Sequence, residues 1–219
     1  MNLATELYVE RVTRWPREGR HILAHHDAET IVVYQAYRPS TGAYAIKHGA
    51  FGVDFSYARM SWIKPNFLWM MYRSGWGTKE NQEVVLGLRL RRPFFDGMLA
   101  RAVASTFDAS RLSSRKEWAA AVAASEIRLQ WDPDHDPYGR VLPRRAVQLG
   151  LRGAALEAFG KRELLEVIDM TAFVAAQRDE ILRNGLARLW TPVERTYFPG
   201  DAAAKRLMLD PGPGFDAGR

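Results

Sequence analysis

The chain has no cysteine among its 219 residues. That absence excludes disulfides, thiolate metal sites and cysteine nucleophiles together, and it is compatible with a reducing compartment. Long apolar runs are also missing. Runs such as Phe67 to Tyr72 fall far short of the roughly 20 residues that span a bilayer, so no membrane partner is expected. The N-terminus carries acids and lacks the basic start and apolar block of a signal peptide, which makes the cytoplasm the expected location. Four familiar motifs are absent: the phosphate loop, the Gly-x-Ser-x-Gly elbow, His-Glu-x-x-His and the dinucleotide Gly-x-Gly-x-x-Gly. The commonest enzyme classes go with them.

What is present is basic. Lys and Arg number 31 against 25 Asp and Glu, a formal charge of +6 that suits an anionic partner such as a nucleotide or nucleic acid. The excess is dispersed, with no Lys/Arg run longer than Arg91-Arg92 or Arg144-Arg145, so solubility is the plain alternative. No 20–50-residue period and no Pro/Gly/Ser-rich linker divides the chain. One α+β domain over residues 1–200 is expected, a central mixed or antiparallel sheet flanked by helices, with a polar arm at 1–19 and a flexible tail at 201–219.

The densest stretch runs from Asp54 to Trp76. It holds three of the seven tryptophans and three of the seven methionines, interleaved with Arg59, Lys64 and Arg73. Around it the pattern predicts strands at 30–37, 53–57, 84–91, 127–131, 145–151, 163–168 and 192–198. Helices are expected at 43–48, capped by Ser40 or Thr41 after Pro39, and at 65–73, 94–105, 115–125, 153–159 and 171–184. Trp118 and Val122 should anchor the fourth of these, and Phe173, Val174, Ile181 and Leu182 should face inward from the last. A helical turn over Arg20–His26 would set His21 and His25 four residues apart beside His26 and Asp27, a metal-like spacing with no evident third ligand. The acids of the 132–139 loop could recruit a cation, but its prolines and Gly139 also describe an ordinary hairpin loop. No metal is expected.

The site residues follow from an order of elements. A strand ends in Arg38, a short helix ends in a Gly turn, a second region carries Ser56 and Ser61, an aromatic helix follows, and a later strand exposes Gln148 beside Ala146 and Gly150. This order resembles the ADP-ribosyltransferase fold. The resemblance implies NAD as cofactor, with Arg38 on its pyrophosphate or ribose, Ser61 or Ser56 as the family's serine, and Tyr37, Tyr44, Trp62 and Tyr72 available to stack on its bases. It also implies an acid where this chain has Gln148; the nearest acid in a strand context is Glu83. A carboxylate stabilises the oxocarbenium charge that builds as the nicotinamide bond breaks, and an amide does so poorly. Arg59, Lys64 and Arg73 among the aromatic residues extend the same candidate pocket for a phosphate-bearing ligand. Lys47, before a Gly turn, is a separate candidate nucleophile, although Gly49 stands where adenylating enzymes place an acid. A second resemblance covers nearly the whole chain: the runs Val33 to Arg38, Arg59 to Gly75, Gln130 to Pro133 and Arg145 to Gly150 are similar to the domain of unknown function 4291 family, which implies one domain and no particular chemistry. The expected function is a nucleotide-handling enzyme, with NAD-dependent ADP-ribosyl transfer to a nucleic acid or protein as its reaction. The alternative is a non-catalytic RNA- or nucleotide-binding module.

Overall fold

A computed structural model describes residues 2–52, 54–108 and 114–210. In chain order its elements are β1 (Thr5–Leu7), α1 (Tyr8–Arg11), β2 (Gly19–Arg20), β3 (Ile22–His26), β4 (Thr30–Tyr37), α2 (Pro39–His48), β5 (Ser61–Ile63), α3 (Phe67–Ser74), β6 (Val84–Arg91) and α4 (Arg92–Arg101). There follow β7 (Val103–Ala104), α5 (Arg115–Ala124), β8 (Ile127–His135), β9 (Val141–Leu151), α6 (Gly153–Ala158), β10 (Leu164–Asp169), α7 (Thr171–Asn184), β11 (Trp190–Pro192), β12 (Arg195–Tyr197) and α8 (Asp201–Leu207). No described helix is long and apolar enough to cross a membrane.

The spine is the antiparallel pair β4–β6, in unbroken register from Thr30 opposite Arg91 to Tyr37 opposite Val84. It lies inside a five-stranded antiparallel sheet of order β10-β6-β4-β3-β12. A second sheet, β2-β9-β8-β7, is mixed: β8 and β9 are antiparallel, whereas β2 and β7 add in parallel. The strand β5 pairs with β9, Trp62 opposite Gly150, and just past the end of β5 Lys64 bridges to Tyr34 of β4. The aromatic stretch thus stitches the two sheets together before it turns into α3.

Both faces of the first sheet are covered. Ile31, Val33, Leu86, Leu88 and Leu90 share one core with Leu129, Val147 and Leu149 of the second sheet. Val32, Tyr34 and Val85 share another with Phe67, Leu68, Met70 and Met71 of α3 and with Val174 of α7. Burial from both sides is why Ile31 to Tyr34 read as one apolar run rather than an alternation. Each such side chain contributes about 1.5–3 kcal/mol. Asn66 caps α3 by accepting the Trp69 N–H at 2.7 Å, and Gly75 ends it in the left-handed region at φ 59°.

Several expectations are corrected. Residues 22–26 are strand and Arg20 ends β2, so the expected helical turn is absent: Ile22, Leu23 and Ala24 are buried in β3 between β4 and β12. The described part of 53–57 is turn and loop rather than strand. Neither Ser40 nor Thr41 caps α2: the helix starts at Pro39, whose fixed φ suits a first position, so the cap falls on Arg38 without a side-chain bond. The helix expected at 94–105 begins at Arg92 and gives way to β7. No side chain of α5 is fully buried; Trp118 is half-buried and donates to the Ala104 carbonyl. Leu182 of α7 is 79 % exposed. The supposed loop at 132–139 is strand as far as His135. Residues 201–207, placed in a flexible tail, form α8 with Leu207 buried, and 5–11 of the polar arm are regular structure tied to β11. Residues 211–219 lie outside the described part.

Candidate functional site

Where β5 crosses between the sheets, their edges part and leave a cleft of about 480 Å³. The end of β4 brings Gln35 and Tyr37, β5 brings Ser61 and Trp62, and Lys64 follows. Met70 and Arg73 come from α3, Gln82 from the approach to β6, and Gln130 and Gln148 from β8 and β9.

Gln35 extends the inner face of β4 to the cleft and is buried. Its amide nitrogen donates to Ser61 Oγ at 2.7 Å and to the Trp62 carbonyl at 2.9 Å, while its oxygen accepts the Tyr37 hydroxyl at 2.7 Å. Two of these bonds fix the approach of β5 and hold Ser61 at the rim, and the third ties Gln35 to Tyr37 of its own strand. Burial pushes the Tyr37 phenol well up, so it stays protonated.

Gln130 and Gln148 stand directly opposite in the β8–β9 ladder. Each donates to one oxygen of Asp132, at 2.8 and 2.7 Å. Asp132 lies two residues along from Gln130 and therefore on the same face of β8. A carboxylate is thus held one hydrogen bond away from the amide that occupies the expected acid position.

Lys64 is the most unusual group. Its residue is only 5 % exposed and lines the cleft; Nζ is not one of the fully buried atoms left without a partner, and among the described residues it makes no hydrogen bond and no ion pair. The Trp69 ring lies 5.8 Å from Nζ, a modest attraction. Burial and the neighbouring Arg73 guanidinium bring Lys64 down to about 8, with Asp132 pulling weakly the other way.

The expected site residues therefore divide. Tyr37, Ser61, Trp62, Lys64 and Gln148 meet in the cleft, together with Arg73. Arg38, Tyr44, Arg59 and Glu83 are not among its lining residues. The Arg38 guanidinium is half-exposed, 3.9 Å from Asp54. Tyr44 stacks on His48 at 4.0 Å, Arg59 is exposed, and Glu83 accepts the Asn81 N–H at 3.0 Å. Lys47 is exposed in the last turn of α2, and Tyr72 stacks on His135 with ring centroids 3.5 Å apart. His25 bonds the Val193 carbonyl from within β3, and no described group of three or more His, Asp or Glu could hold a metal. Gln35, Gln82, Gln130 and Asp132 were missed. Gln35 was the visible signal, a lone amide in an otherwise apolar strand.

A second polar cluster lies at the other end of α3. Glu194 accepts the Phe67 N–H at 2.7 Å, and its carbonyl takes Arg11 Nε and Trp15 Nε1 at 2.9 and 3.0 Å. Burial raises its carboxyl far above the usual range. Nearby, Asp134 receives Arg144 at 2.6 and 2.7 Å, and Arg144 also donates to the Pro16 carbonyl at 2.5 Å.

Fold and site together define an α+β domain of two bridged sheets with a lysine- and glutamine-lined cleft at the bridge. The chain belongs to the family described as domain of unknown function 4291, which residues 21–197 match. No curated protein matches it.

Proposed function

We propose that the protein is a nucleotide-handling enzyme whose ligand seats in the Lys64 cleft. The observation that carries this reading is Lys64, enclosed but with no hydrogen-bonded or ionic partner among the described residues, beside Arg73 in an open cleft, since two neighbouring cations are completed by an anionic group. Trp62 and Tyr37 offer aromatic surface to a base, and the glutamines offer both donors and acceptors. The net charge of +6 assists approach of an anion, and a cytoplasmic location suits such a ligand. Calorimetric titration with NAD, ADP-ribose and a short RNA tests the reading. Lys64→Met and Arg73→Ala should each weaken binding at least about tenfold; absence of binding to all three would end it.

A more specific reaction, NAD-dependent ADP-ribosyl transfer, is favoured by one contact, the Gln148 to Asp132 hydrogen bond. In this reading Asp132, which does not itself line the cleft, acts through Gln148 and Gln130 in place of Glu83 to stabilise the positive charge that develops on the ribose. Asp132→Asn should then abolish nicotinamide release from NAD while leaving NAD binding within about threefold. Retained release would return the cleft to a binding role, with RNA as the rival occupant.

A further inference from the structure

We propose that Lys64 is a nucleophilic amine that forms an imine with the open-chain aldehyde of a phosphorylated sugar held in the cleft. The inference rests on the nucleotide reading for the ligand's place and adds the bond that the ligand would make there.

The chain has six lysines, and Lys47, Lys79, Lys116, Lys161 and Lys205 are all exposed. Lys64 alone is buried, lines a cleft and lacks a hydrogen-bonded or ionic partner among the described residues. Enclosure of the stem and the neighbouring Arg73 guanidinium both disfavour the ammonium, against the opposing pull of Asp132. The same environment favours the free amine, which is the reactive form, and a lysine beside a second cation in a desolvated pocket is a recurring way to obtain it. The direction of the Lys64 shift, to about 8, agrees with that geometry.

The neighbours select the electrophile. Arg73, on the same cleft, matches a phosphate. Ser61 and the amides of Gln82, Gln130 and Gln148 match the hydroxyls of a sugar rather than a flat apolar ring. A ribose phosphate with a free anomeric carbon, alone or as the terminal ribose of ADP-ribose, offers an aldehyde when its ring opens. Nζ attacks C1, the C–N bond forms, and the carbonyl oxygen departs as water with the two amine hydrogens. No oxidant, reductant or co-reactant is required.

The test incubates the full chain with ribose 5-phosphate and sodium cyanoborohydride at pH 7.5, then maps the reduced adduct lysine by lysine. Lys64 should be modified at least about tenfold faster than the mean of the five exposed lysines, with saturation in sugar concentration. Lys64→Arg should lose that fast adduct while keeping its melting temperature. Modification of Lys64 at or below the rate of the exposed lysines would overturn the proposal, and this ratio in the unmodified chain decides even if the variant does not fold. The two readings fail separately. Fast Lys64 adduct that neither ADP nor NAD protects would remove the nucleotide reading and leave the imine standing. Binding of ADP or NAD with no Lys64 adduct would do the reverse.

Discussion

Two polar clusters meet α3, built from similar residue types and arranged to opposite effect. At its start, Asp134, Arg144 and Glu194 are enclosed, and every one has partners: the guanidinium is shared between a carboxylate and a carbonyl, and the raised carboxyl of Glu194 accepts the Phe67 N–H. Farther along, Lys64 is almost as enclosed but faces Arg73 across an open cleft with no ionic partner. Satisfied buried charges tie segments together, because removing one strands the other. An enclosed cation with no ionic partner opposes folding, and under the proposed function the anion of the ligand would supply that partner. The first cluster therefore holds the fold, and the second is held by it.

Asp134→Ala should produce the largest effect. It leaves Arg144 buried without its carboxylate and should cost about 3–5 kcal/mol in urea denaturation; a loss below about 1 kcal/mol would break the contrast by showing that the pair is not structural. Gln35→Ala comes next. It releases Ser61, the Trp62 carbonyl and the Tyr37 hydroxyl together and should cost about 2 kcal/mol, with altered tryptophan fluorescence as β5 loosens. This variant sharpens the comparison, since it places a structural amide at the wall of the candidate cleft. The smallest effect belongs to Arg38→Ala. An exposed guanidinium 3.9 Å from Asp54 should change stability by less than about 0.5 kcal/mol and leave binding in the cleft unchanged. A large loss of NAD binding in this variant would restore Arg38 to the site.

The parts legible in the sequence were those with strong periodicity. The bounds of β4, β6 and α7 follow directly from their apolar patterns and punctuating residues, and family membership followed from runs such as Val33 to Arg38. Residues 20–26 failed because pairing with β4 and β12 overrides a weak local preference. The site was half legible. Ser61, Trp62, Lys64 and Arg73 lie in one conspicuous segment, and Gln148 stood out on a face of small residues. The opposition of Gln130 and Gln148, and their shared grip on Asp132, depend on register between β8 and β9, which no local pattern states. Glu83 stands out because it has a strand context, whereas Asp132 reads as the first residue of a loop; in space Asp132 is the acid beside Gln148.

The most direct measurement is the urea stability of Lys64→Met against the unmodified chain from pH 7 to 10. Because the folded value of about 8 lies below the ordinary 10.5, the unfolded chain binds the proton more tightly, and the cost of the buried ammonium is fully present below pH 8. The variant should therefore be the more stable at pH 7, by about 2–3 kcal/mol once the lost Trp69 attraction is allowed for. That advantage should shrink as pH rises from 8 towards 10.5, as the unmodified chain sheds the charge. A variant less stable than the unmodified chain by about 1 kcal/mol or more at pH 7, with a gap that does not change with pH, would mean that Lys64 is a satisfied part of the structure and would contradict the division between the two clusters.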